Sequence, residues 1–266
     1  MNLAGVRILI TRPQHQAEEL ARSITAAGGK PIVFPLIAIE ALDDEASLAR
    51  LGQHMQALDL YHALIFVSSN AARQAVPWIQ RFWPELPPTL DMIAVGASTA
   101  SALNPLHCRV QTAGPGAGSE ELLSMPVLQD VSGKRIGICR GVGGRELLAT
   151  GLRARGATVE YLELYRRTPV TLAPGKLSTV LEKEKVQAIV VTSGQILERL
   201  NEECGIPAGS NNSKAGLIPL LVPSVRIAEQ AGAQGWSRVL LVNGADDTAI
   251  LSGLETLARQ NQEQQT

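Results

Sequence analysis

The amino-acid sequence predicts an α/β protein made of two similar doubly wound parallel-sheet domains. Three observations carry this expectation. At 266 residues the chain is long enough for about two compact units, at roughly 150 residues per domain. Short uninterrupted apolar runs alternate with helical patterns, as parallel strands covered on both faces require. The same segments also occur twice, at offsets of 125 to 129 residues.

The repeat can be followed element by element. Arg7-Ile8-Leu9-Ile10-Thr11-Arg12 matches Arg135-Ile136-Gly137-Ile138-Cys139-Arg140, each an apolar strand ending in arginine. Helical patterns follow at 17–21 and 146–149, then helix-ending glycines at Gly28-Gly29 and Gly156, then second strands at 31–34 and 158–161. Ala63-Leu64-Ile65-Phe66-Val67-Ser68 matches Ala188-Ile189-Val190-Val191-Thr192-Ser193, and Ile93 through Ser98 matches Pro219 through Ser224. Arg109-Val110 and Arg238-Val239 begin the last pair of strands, ahead of helices near 119–123 and 248–251. Periodicity alone leaves the domain boundary open. A tandem duplication cuts the chain near 130, whereas a nested arrangement joins the first 35 or so residues to the C-terminal third.

Composition narrows the ligand. Hydrophobic residues make up 45% and charged residues 18%, and 24 Lys+Arg balance 25 Asp+Glu to a net charge of −1. A disordered chain and a polybasic nucleic-acid arm are thereby excluded, and no nucleic-acid partner is expected. With aromatics at 3%, base-stacking platforms and membrane girdles have almost nothing to be built from. A ligand is held by backbone, hydroxyl and charged groups. Cys108, Cys139 and Cys204 show no metal-ligand or disulfide spacing and are read as free, buried thiols, and no metal is expected. The start of the sequence has no basic or apolar leader pattern, and the apolar runs are too short to span a bilayer, so a cytoplasmic protein without a membrane partner is expected. The polar run from Arg259 to Thr266 is read as a frayed tail.

In open parallel sheets the ligand lies at the carboxyl ends of the strands. Those ends are Thr11-Arg12-Pro13, Ser68-Ser69-Asn70, Gly96-Ala97-Ser98-Thr99, Arg140-Gly141-Val142-Gly143-Gly144-Arg145, Thr192-Ser193-Gly194 and Pro223-Ser224-Val225-Arg226. Most place a small or hydroxyl residue ahead of a helix N-terminus, where free N–H groups and the helix dipole favour anions. Arginines 12, 140, 145 and 226 add charge. Each Ser, Thr or Asn taken singly is most simply a helix N-cap; together they point to a carboxylate- or phosphate-bearing small molecule. A nucleotide is disfavoured although Glu163 lies about 20 residues past the glycines, as an acidic ribose ligand does. G-x-G-x-x-G requires glycine where Glu146 stands, and the loop after the first strand has no glycine. His15, His54, His62 and His107 are scattered, His15 alone falling in a site loop, where a surface or capping role is expected. Asp246-Asp247 ahead of Thr248 reads as helix capping.

Taken in order, Thr11-Arg12-Pro13, Phe66-Val67-Ser68-Ser69-Asn70-Ala71, Val95-Gly96-Ala97-Ser98-Thr99-Ala100, Ser119-Glu120-Glu121-Leu122-Leu123, Arg140-Gly141 through Gly144-Arg145 and Tyr165-Arg166-Arg167 resemble the uroporphyrinogen-III synthase family across essentially the whole chain. The resemblance implies a nested arrangement, with residues 1–37 and 170–266 forming one discontinuous domain and residues 38–169 the inserted one. Leu36 through Ile39 and Leu164 through Thr168 become the strands of a two-stranded linker, and the ligand cleft lies between the domains.

The implied reaction needs no cofactor. The linear tetrapyrrole hydroxymethylbilane loses water, its last pyrrole ring is inverted through a spiro intermediate, and the ring closes to the type III isomer. Because the substrate cyclises spontaneously to type I, the protein's task is control of geometry with help for the departing hydroxide. Tyr165 matches the tyrosine that the family places in its cleft and is the candidate proton donor, with packing in the linker as its simpler role. Thr11, Ser68, Ser69, Asn70, Thr99, Gly141, Thr192, Ser193, Gly194 and Ser224 are the candidate binders of substrate carboxylates. Arg12 and Arg140 either join them or pair with local carboxylates. Where relatives repeat Thr-Ala this chain has Val225-Arg226, so a hydroxyl is lost and Arg226 substitutes by charge. A monomer is expected. The alternative class is a hinged two-domain binding or sensor module for an anionic metabolite, which needs the same cleft but not Tyr165.

Overall fold

The structure is a computed structural model that describes residues 3, 5–114, 117–144, 146–206 and 215–263, with side chains described to residue 260. The chain divides into two compact units, one formed by residues 1–38 and 168–266 and the other by residues 39–167.

Among the described residues the first unit is built on five strands, β1 (Arg7–Ile10), β2 (Lys30–Val33), β9 (Ala188–Val190), β10 (Leu220–Val222) and β11 (Val239–Leu241), in the order β11-β10-β9-β1-β2. Every neighbouring pair is parallel. Strand residues alternate between two cores, as a pleated sheet demands. Leu9, Ile189, Leu220 and Val222 pack on one face with α7 (Lys176–Lys183), α8 (Gly194–Cys204) and α9 (Val225–Ala233). Ile8, Ile10, Ala188, Val190 and Leu221 pack on the other with α1 (Gln14–Ala26) and α10 (Asp247–Glu263).

Among the described residues the second unit holds a six-stranded sheet. Its strands are β3 (Ile37–Ala41), β4 (Ala63–Phe66), β5 (Asp91–Ala94), β6 (Val110–Thr112), β7 (Arg135–Gly141) and β8 (Thr158–Pro169), in the order β3-β8-β7-β4-β5-β6. The pairs from β8 through to β6 are parallel. Helices α2 (Glu45–Gln56), α3 (Ser69–Phe82) and α4 (Ala97–Ser101) are followed in the chain by α5 (Ser119–Ser124) and α6 (Leu147–Ala154). Leu64, Phe66, Met92 and Cys139 face one core, and Ala63, Ile65, Ile93, Ile136 and Ile138 the other. Burial on both faces explains why these strands read as continuous apolar runs rather than alternating ones.

The two sheets share one plan. β11-β10-β9-β1-β2 and β6-β5-β4-β7-β8 list strands in the same spatial order, and each strand stands where its sequence repeat stands in the other unit. Tandem repeats fold as consecutive blocks; here β1 and β2 join strands that follow them by more than 150 residues, so the repeat is permuted within the chain.

Three expectations change. Residues 164–168 do not form a separate strand but continue β8, which runs twelve residues with a register shift against β7 at Arg140/Gly141. The polar C-terminal run is not frayed from Arg259 onward, since α10 continues to Glu263. Gln and Glu are good helix formers, and extending an existing helix gains a backbone bond for each residue fixed. Residues 264–266 lie outside the described residues. Only Cys139 is fully buried, Cys108 and Cys204 being half-buried. Desolvation raises all three thiols, that of Cys204 to about 12, so the thiolate is disfavoured at each. Among the described residues no helix is long and apolar enough to cross a membrane.

Candidate functional site

In the second unit the carboxyl ends of β4, β7 and β8 converge on Tyr165. The side chains of Tyr165 and Arg167, two residues apart on β8, share a face, while that of Arg166 points away to Asp43 and Asp44 at 3.1 and 2.8 Å. The Tyr165 ring is fully buried. Its hydroxyl lies 3.1 Å from Ser68 Oγ and accepts a hydrogen bond of 3.1 Å from Arg167 Nη2, whose guanidinium carbon sits 5.5 Å from the ring centre. Ser68 is the N-cap of α3, its Oγ accepting from the Ala71 N–H at 3.1 Å. Gly141 makes room for the ring, since a Cβ there would stand 2.7 Å from two of its carbons.

Beside this group, Arg140 is 8% exposed and turns inward. It meets Glu146 at 3.3 Å and Glu163 at 3.9 Å, and stacks 4.0 Å from the Tyr161 ring centre. The Tyr161 hydroxyl donates to Glu146. That bond first, then Arg140 and Arg153, holds the Glu146 carboxyl below its usual range against a smaller effect of burial. Glu163 accepts the Gly143 N–H at 3.3 Å, so the acid that mimics a ribose ligand is bonded to the glycine loop itself. Gly143 and Gly144 turn that loop at φ of 72° and 117°, where L side chains are strained. Arg145 lies outside the described residues.

In the first unit, Thr11 is fully buried and donates to the Val190 carbonyl at 2.6 Å. Arg12, 8% exposed, pairs with Asp247 at 2.6 Å and donates to the Ala245 carbonyl. Ser193 and Ser224 cap α8 and α9, accepting from the N–H groups of Ile196 and Ile227 at 3.2 and 3.5 Å. Gly194 opens α8 beside the exposed Arg226, whose Nη1 would lie 3.6 Å from a Cβ at that position. Thr192 is half-buried ahead of this turn.

The predicted residues therefore fall into distinct groups. Tyr165, Ser68 and Gly141 come together, and so do Gly194 and Arg226. Thr11 is a buried fastener. Arg12 and Arg140 take the local-carboxylate role, because burial leaves a guanidinium costly unless it is paired. Ser69 is half-buried at the start of α3; Asn70 and Thr99 are buried at 7% and 2% exposure. Asp246 caps α10 through the Ala249 N–H at 3.0 Å. The sequence assigns no site role to Arg167, and none as arginine partners to Asp247 and Glu146. For Arg167 a signal existed in its two-residue spacing from Tyr165 on a strand.

Two mainly parallel sheets covered by helices, with hydroxyl residues and helix N-termini at their strand ends, define an α/β protein of the doubly wound class. The chain belongs to the uroporphyrinogen-III synthase family: residues 18–251 match the family described as Uroporphyrinogen-III synthase HemD. It is 34% identical to the uroporphyrinogen-III synthase of Escherichia coli strain K12 over 256 residues, covering 93% of this chain and 99% of that one. The Salmonella typhimurium synthase is also 34% identical, over 257 residues, again covering 93% and 99%. In fold the chain is similar to a mutant uroporphyrinogen III synthase of Thermus thermophilus, with a TM-score of 0.61 at 18% identity over 97% of this chain and 100% of that one. The Helicobacter pylori enzyme gives 0.60 at 16% identity over 95% and 99%.

Proposed function

We propose that this chain is a uroporphyrinogen-III synthase, a cofactor-independent lyase of tetrapyrrole biosynthesis that converts hydroxymethylbilane to uroporphyrinogen III. The single observation that carries the proposal is the match at 34% identity to the Escherichia coli enzyme over 93% of this chain and 99% of that one. A non-enzymatic anion-binding or sensor module is not favoured, because that relative and the family description are synthases.

Water loss from the hydroxymethyl group leaves a cationic azafulvene, which attacks a substituted pyrrole carbon to give the spiro intermediate. The chain's contribution is to hold the substrate in the geometry of that attack and to protonate the departing hydroxide. Tyr165 is the proton source. Backbone N–H groups at the starts of α3, α8 and α9, with Ser69, Thr192 and Arg226, receive acetate and propionate groups. Arg12 and Arg140 contribute indirectly by fixing the loops through Asp247, Glu146 and Glu163. With a net charge of −1, recognition of a polyanion is local rather than a property of the whole molecule's field. The protein acts in the cytoplasm as a monomer, without nucleic-acid or membrane partners. The isomer composition of the product formed from hydroxymethylbilane tests the proposal.

A further inference from the structure

Tyr165 has no exposed surface, whereas Ser68, bonded to its hydroxyl, is only partly covered. A phenol in that position reaches a ligand only through a neighbour. Two fixed donors constrain the hydrogens around it. Arg167 donates into the phenolic oxygen, and the Ala71 N–H donates into Ser68 Oγ. Neither donor can reverse, because a guanidinium and a backbone amide have no acceptor to offer. The Tyr165 O–H is then free to donate to Ser68, and the Ser68 O–H to point away from both.

We propose that Ser68 is a catalytic residue that passes the proton of Tyr165 to the departing hydroxyl, with Arg167 as the positioning residue that steadies the phenol. This rests on the role of Tyr165 given above and adds the path. The Ser68 O–H proton moves to the hydroxymethyl oxygen while the Tyr165 proton moves to Ser68 Oγ. The carbon–oxygen bond breaks with both electrons going to oxygen, and water leaves. Tyr165 is left as a phenolate beside the Arg167 guanidinium, and the substrate carries the azafulvenium charge. The proton is recovered when the ring-closing pyrrole carbon loses its hydrogen, so the cycle releases one water.

The test is steady-state formation of the type III isomer by the full chain with Ser68→Asn, Ser68→Thr, Tyr165→Phe, Arg167→Met and the paired variants. Asparagine keeps the helix cap without a hydroxyl, and thermal unfolding verifies that each variant is folded. Ser68→Asn and Tyr165→Phe each lower kcat by about a hundredfold, the usual scale for a positioned acid. Their combination is no slower than either alone, and Ser68→Thr restores most of the rate. Arg167→Met lowers kcat rather than raising KM, and adds nothing in the Tyr165→Phe background. A Ser68→Asn variant that keeps its rate while Tyr165→Phe is slow overturns the relay and leaves Tyr165 as donor. An unimpaired Tyr165→Phe overturns both. Arg167→Met that raises KM alone overturns the positioning role.

Discussion

Arg12 and Asp247, 235 residues apart in sequence, meet at 2.6 Å and tie the loop after β1 to the start of α10. The equivalent arginine of the other unit, Arg140, is held the same way by Glu146 and Glu163. Each sheet therefore has an inward-turned arginine bracing the loop at the end of a central strand.

Asp247→Asn accordingly destabilises the fold. Losing one partner of a buried ion pair costs about 3–5 kcal/mol. Asp247 is a third exposed, so solvent screening reduces this to about 1–2 kcal/mol. Urea unfolding measures the loss, and an unchanged midpoint contradicts the bracing role.

Gly141→Ala strikes Tyr165, the proposed proton source, rather than the substrate. Its methyl group would meet the Tyr165 ring at 2.7 Å, and overpacking of this kind costs about 1–3 kcal/mol. The ring moves, its bonds to Ser68 and Arg167 stretch, and kcat falls more than KM rises. A variant with wild-type kcat shows that the ring's position is immaterial.

A second polar cluster sets part of the response to acid. Burial raises the Glu160 carboxyl, but hydrogen bonds from Tyr61 and Arg135 and the charge of Arg135 outweigh it, so the net shift is downward. Arg135 holds Glu160 at 2.8–3.0 Å, and His54 Nδ1 lies 2.8 Å from the Tyr61 hydroxyl. A lowered carboxyl stabilises the fold above the ordinary glutamate value of about 4.3 and loses that contribution as pH falls through the lower folded value. The stability gap between wild type and Glu160→Gln is thus present at pH 6 and closes in stronger acid. A gap independent of pH removes Glu160 from the acid response.

Much of the fold was legible because the permuted repeat is written in continuous apolar strands. Ile8–Ile10 and Ile136–Ile138 resemble each other because they fill the same place between two helical layers. What sequence could not resolve was direction. Arg12 and Arg140 end their strands as anion-binding arginines do, yet turn inward because Asp247 and Glu146, distant or merely acidic in sequence, reach them in space. Ser68, Ser193 and Ser224 are helix caps, as local spacing suggests, but only the fold brings a buried phenol to the first of them. The burial of Tyr165 depends on Gly141, a pairing across β7 and β8 that the register shift creates.

The most direct test is the isomer assay. The purified chain, given enzymatically generated hydroxymethylbilane and no cofactor, is followed by separation of the oxidised porphyrin isomers. Type III is the expected dominant product, formed at a rate above spontaneous closure. Type I alone, at the uncatalysed rate, contradicts the proposed function.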